Sequence, residues 1–171
     1  MDTDLRREAY NESRFLARAK EDPSFDPDVS RLLIALIQAH DRLERQFSTA
    51  LAQVDLTLAS FNVLAILQDR GEVPLKELGS LLLKTPANIT GLIDGLARRG
   101  LVERRPHSQD RRIKLAVLLP PGRQLIDEIF PRYHQFCKCM LGSLEQAERV
   151  QLTGLLKQLA HSVCEADEAQ L

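Results

Sequence analysis

The chain has 171 residues, a hydrophobic content of 44%, a charged content of 27% and a formal net charge of −1. That length suits one domain with a sizeable core and helical extensions, and the composition excludes disordered and fibrous classes. No apolar run approaches the roughly 20 residues that cross a bilayer, and the start MDTDLRREAY lacks the apolar core of a secretory signal, so no membrane partner and a cytoplasmic location are expected.

Residues 4 to 20 read as a polar helix whose apolar contacts are Leu5, Phe15 and Leu16, and EDPSFDPD (21–28) breaks it with two prolines. Residues 1–28 are therefore an N-terminal extension. From Val29, the positions Leu33, Leu36, His40, Leu43, Phe47 and Ala50 recur at alternating spacings of three and four, the stripe of an amphipathic helix reaching about residue 52. Thr57 caps a helix carrying Phe61, Leu64 and Leu67, and Gly71 stops it. PLKELGSLLL (74–83) predicts a short helix with Pro74 in its first turn. After the cap Thr85 and Pro86, the spacing of Ile89, Leu92, Ile93 and Leu96 predicts another, ended by Gly100.

The period then changes from 3.6 to 2. Residues 101–105 and 113–117 read as two short strands joined by the polar turn 106–112, and Pro120-Pro121-Gly122 opens a long helix through Ile126, Ile129, Tyr133, Phe136, Met140 and Leu144. A last helix covers about 145–164. Three cysteines, Cys137, Cys139 and Cys164, are an odd number without CxxC spacing, so neither a disulfide framework nor a metal site is indicated. Cys137 and Cys139 would point about 200° apart on a helix, which argues against shared ligation.

Charge is distributed unevenly. Residues 98–114 hold Arg98, Arg99, Arg104, Arg105, Arg111, Arg112 and Lys114 against Glu103 and Asp110, a local balance of +5 in a chain that sums to −1. A basic patch on an acidic body suits a localised contact with a polyanion. Three short helices followed by a hairpin give the order of a winged helix-turn-helix, whose third short helix enters the DNA major groove and whose hairpin is the wing. The fold class expected is therefore mainly α with a small β-hairpin wing. With Ile89, Leu92, Ile93 and Leu96 in the core, the opposite face shows Ala87, Asn88, Thr90, Gly91, Asp94 and Arg98, small, polar or cationic groups suited to base edges and phosphates. Thr85, Pro86 and the free amides at the helix start make a phosphate site. In the wing, Arg104, Arg105, His107, Ser108, Arg111 and Arg112 are candidate contacts, because arginine pairs with phosphate and suits a narrow minor groove, while Asp110 braces the turn.

The stretch ITGLIDGLARRGLVERRPHSQDRRIKLAVLLPPG resembles the recognition helix and wing of MarR-type transcriptional regulators, and the likeness extends through the helix order over about residues 29–164. It departs where the family's LTxxG is LLPPG, so that Leu119 replaces a capping Thr.

The helices at 29–54 and 120–171 carry more apolar positions than the DNA-binding lobe, 55–119, could bury. They are expected to form a homodimer that offers two recognition helices to a pseudo-palindromic double-stranded DNA operator, and the resemblance implies the same. It also implies a small-molecule effector, an aromatic or phenolic acid or an acyl-CoA thioester, in a pocket for which His40, Phe61, Arg123 and Tyr133 are the candidates. A ligand-responsive regulator, more a repressor than an activator, is thus expected; the alternative is a winged-helix protein-interaction module without specific DNA binding. No GxGxxG, GxxxxGK[ST], HExxH or GxSxG is present and the histidines are scattered at 40, 107, 134 and 161, so neither an enzyme nor a cofactor is expected.

Overall fold

The structure is a computed structural model and describes residues 2–166. The side chains of Leu5 and Cys164 lie outside those described. Helix α1 (Asp2–Glu21) packs on the loop that follows it through the ring pair Phe15–Phe25, with centroids 6.2 Å apart, and on the start of α2 (Pro27–Ala52) through Arg31, which pairs with Glu12 and, at 2.6 Å, with Asp28. Asp26 caps α2 by accepting from the amides of Asp28 and Val29 at 2.8 and 3.3 Å.

Helix α3 (Leu58–Arg70) starts as its sequence predicts, with Thr57 Oγ1 accepting from Ser60 N–H at 3.1 Å, and ends at Gly71, whose φ of 79° only glycine adopts freely. The next residues correct the expectation of a helix over 74–83. Glu72–Pro74 is a strand, β1, and helix α4 is only Leu75–Leu81. Val73 is buried opposite Ala116, and a strand of three residues is too short to display an alternating pattern. Helix α5 (Pro86–Arg98) carries Ile89, Ile93 and Leu96 into the core. Strands β2 (Val102–Pro106) and β3 (Lys114–Leu118) form the hairpin, each one residue later than the periodicity suggests. The sheet is antiparallel in the order β1-β3-β2, so the wing has three strands rather than two.

Helix α6 (Pro120–Met140) begins against the root of the wing. Leu119 has no capping side chain; its amide instead donates to the carbonyl of Leu101 at 3.0 Å. A Cβ on Gly122 would collide with that carbonyl and lie 2.8 Å from Leu118 Cδ1, so the close approach requires glycine. One core then joins α3, α4, α5, the sheet and the first half of α6 through Phe61, Leu64, Leu67, Leu78, Ile93 and Ile126.

Outside that core the helices are left apolar and uncovered. Val29, Leu32, Leu33 and Ile37 on α2 are exposed, and so is every side chain of residues 146–163 in α7 (Gln146–Ala166). Among the described residues no helix is long and apolar enough to cross a membrane, and no three metal-binding side chains gather.

Candidate DNA interface and ligand cavity

The outer face of α5 is the first part of the site. Thr85 Oγ1 accepts from the Asn88 amide at 3.3 Å, which fixes where the helix begins. Residues 83–88, with Thr90, Gly91, Asp94 and Arg98, are exposed. No atom lies within 4 Å of a Cβ built on Gly91. The helix therefore presents an open surface with its backbone close to whatever lies against it.

The wing residues divide into those that point outward and those held by the fold. Arg104 reaches back from β2 to α5, where its Nη2 lies 2.6 Å from Asp94 Oδ1 and donates to the Thr90 carbonyl at 2.9 Å. Two side chains read from sequence as separate DNA contacts are thus each other's partners. They set the angle between helix and wing. Arg105 pairs with Glu103 on the same strand. Arg99, part of the same basic run, is engaged elsewhere: its guanidinium donates to the carbonyls of Asp55 and, at 3.2 Å, Val54, clamping the loop before α3.

At the tip, Asp110 Oδ1 accepts from the amide of Arg112 at 2.9 Å and from its Nε at 3.2 Å. The Arg112 amide first, and then its guanidinium, hold the Asp110 carboxyl below its ordinary range; desolvation opposes them, and the nearby His107 adds the least. The amide of His107 donates to the Ile113 carbonyl at 3.0 Å, and Gln109 N–H donates to His107 Nδ1 at 3.2 Å, closing the turn. Ser108 is exposed at its apex. Arg111 is exposed and makes no hydrogen bond or ion pair among the described residues.

A second feature is a cavity of ≈ 380 Å³ between the C-terminal half of α2 and α6, lined among others by Gln46, Gln53, Arg132, Tyr133 and Phe136. Tyr133 stacks on Phe47 and lies against the buried Phe61, with centroids 5.4 and 4.2 Å away. Burial first, and then the neighbouring Cys137 thiol, push the Tyr133 phenol up to about 12, so it stays a neutral donor. Phe61 stands behind Tyr133 in the core and does not itself line the cavity.

The other two residues named from sequence, His40 and Arg123, are not at this cavity either. His40 is exposed on α2 beside Glu44, 3.7 Å away, because the stripe it interrupts faces solvent at that height. Arg123 is exposed in the first turn of α6, ten residues and about 15 Å of helix before Tyr133. The cation at the cavity is Arg132. Sequence spacing alone does not separate the two arginines, since both lie on one long helix.

A sequence model of the MarR family matches residues 56–114. The chain is 31% identical over 127 residues, 74% of its length and 80% of the relative's, to the HTH-type transcriptional repressor NicR of Pseudomonas putida. It is 27% identical to the HTH-type transcriptional regulator MhqR of Bacillus subtilis, over 75% of this chain and 89% of that one. Among solved structures, that of Bordetella bronchiseptica BpsR, described with the regulation of its DNA binding by 6-hydroxynicotinic acid, superposes with a TM-score of 0.69 at 31% identity, covering 76% of this chain and 98% of BpsR.

Proposed function

The chain belongs to the MarR family of winged helix-turn-helix transcriptional regulators, and from that premise we propose a homodimeric repressor, released from a pseudo-palindromic operator by a small aromatic or phenolic effector or its acyl-CoA thioester. It is a regulator rather than an enzyme. The wing tip carries the DNA reading: Arg111 is exposed with no partner among the described residues, and Asp110 holds the exposed Arg112 in a fixed turn. Guanidinium groups so presented suit phosphate or a narrow minor groove. The module at 55–119 reads DNA, and helices α2, α6 and α7 join two copies through the apolar side chains that a single copy leaves in water. Helix α1 braces α2.

The cavity supports the effector class. Its aromatic wall suits a planar ring, Arg132 can pair with a carboxylate, and the Tyr133 phenol donates a hydrogen bond. The 6-hydroxynicotinic acid of the BpsR structure has that chemistry. A ligand that binds better to a dimer with wrongly spaced recognition helices shifts the population away from DNA. Screening aromatic acids and acyl thioesters for thermal stabilisation tests this, and a true effector loses its stabilising action in Arg132→Ala.

For the DNA reading, binding to the DNA flanking the gene is measured against salt. Arg111→Ala and Arg112→Ala should each weaken binding and lower the slope of log affinity against log salt by about 1. A native protein whose affinity is flat in salt is instead a protein-interaction module.

A further inference from the structure

The turn between α4 and α5 places a leucine where the backbone geometry favours glycine. Leu83 has a φ of 50°, in the left-handed region where a Cβ crowds the backbone. The end of α4 demands it. Lys84 N–H donates to the Gly79 carbonyl at 2.9 Å and Leu83 N–H to the Ser80 carbonyl at 3.4 Å, the paired bonds of a Schellman cap, whose left-handed residue is ordinarily glycine. The fold recovers nothing from the leucine side chain in return. It is 92% exposed, more than any other large hydrophobic among the described residues. Nor does the next residue supply the apolar contact that such caps usually make, because it is Lys84 and is itself exposed. Backbone strain and an apolar side chain held in water meet at one position, and such outliers persist where function uses them.

The location indicates what covers it. Leu83 stands two residues before Thr85, the N-cap of the recognition helix, at the start of the unbroken exposed run 83–88. In the readout of a duplex by a helix-turn-helix, this end of the recognition helix lies deepest in the major groove. Phosphates give a leucine nothing, but the major groove presents one apolar group, the C5-methyl of thymine. We propose that Leu83 is a specificity-determining residue, packing against a thymine methyl in each half-site beside the bases reached by Asn88 and Thr90. This rests on the DNA-binding reading above.

The test starts from a duplex that the full-length protein itself enriches from a random-sequence library. Leu83→Gly and Leu83→Asn both suit a left-handed turn, so both are expected to melt no lower than the native protein, and both lose affinity for the enriched duplex. Thymines are then replaced one at a time by deoxyuridine, which removes only the methyl. The native protein should lose about fourfold at one position per half-site, the transfer free energy of one methyl group, and Leu83→Gly should lose nothing there. Full affinity in Leu83→Gly, or equal losses for both proteins at every deoxyuridine, overturns the assignment and leaves the operator reading standing. A native protein that enriches no duplex removes both.

Discussion

Arg104 and Asp94 show how one ion pair converts two predicted contacts into a strut. Their side chains are 32% and 52% exposed, so the pair contributes less than about 1 kcal/mol to stability. Its value lies in geometry. Asp94→Asn should leave the melting temperature nearly unchanged and weaken operator binding several-fold without altering the salt slope, because no phosphate contact is lost; a slope that falls as it does in Arg111→Ala would make Arg104 a phosphate ligand after all. Tyr133 offers a second residue-scale measurement. Its folded pKa is raised, so its contribution to stability is fully present below the unfolded value near 10 and is lost as pH rises through about 12. In Tyr10→Phe, which leaves Tyr133 as the single tyrosine, phenolate absorbance should appear near 12, and an ordinary value would mean an open site. At this scale the sequence shows residue types but not their partners: RRPHSQDRRIK announces a basic wing, whereas the distance from Arg104 to Asp94 exists only once β2 lies against α5. Leu83 stayed hidden for a related reason, since in LLLK it reads as one more apolar residue.

Elements were more legible, because caps and periodicity are local. Thr57, Thr85, Gly71 and Gly100 mark the helix ends where the chain places them, and the last two have φ of 79° and 68°. What periodicity could not reveal was β1, defined by its pairing with β3 rather than by its own three residues. The start of α6 is a comparable case. Its lack of a capping hydroxyl is offset by two prolines in the first turn and by the bond from Leu119 to Leu101, and Gly122 permits that contact. Gly122→Ala should therefore destabilise by about 1–3 kcal/mol through overpacking, seen as a lower urea midpoint at unchanged m. A neutral substitution would show that the first turn of α6 stands farther from the wing.

For the whole molecule, the apolar surface left on α2 and α7 makes a single copy an incomplete object. Leu155 and Leu159 are 56% and 38% exposed, so Leu155→Asp with Leu159→Asp removes nothing from the core of one subunit. Sedimentation of the native protein should give twice 19.3 kDa, and of the double variant one copy with weaker operator binding. A variant that stays dimeric would move the interface away from α7. The excess of apolar positions outside 55–119 was legible in the sequence; the placement of the cavity was not, since it depends on where α2 crosses α6.

The contact at Gly122 has a mechanical meaning. A tilt of α6 about that contact would act through an arm of about 16 Å to Tyr133 in the cavity wall and of about 10 Å along β2 from Leu101 to Arg104. The second arm is the shorter, so helix and strand moving as one body would reduce a displacement rather than amplify it. An ångström at the cavity would arrive as about 0.6 Å at Arg104. Even that is a sizeable fraction of the 2.6 Å that separates Arg104 from Asp94.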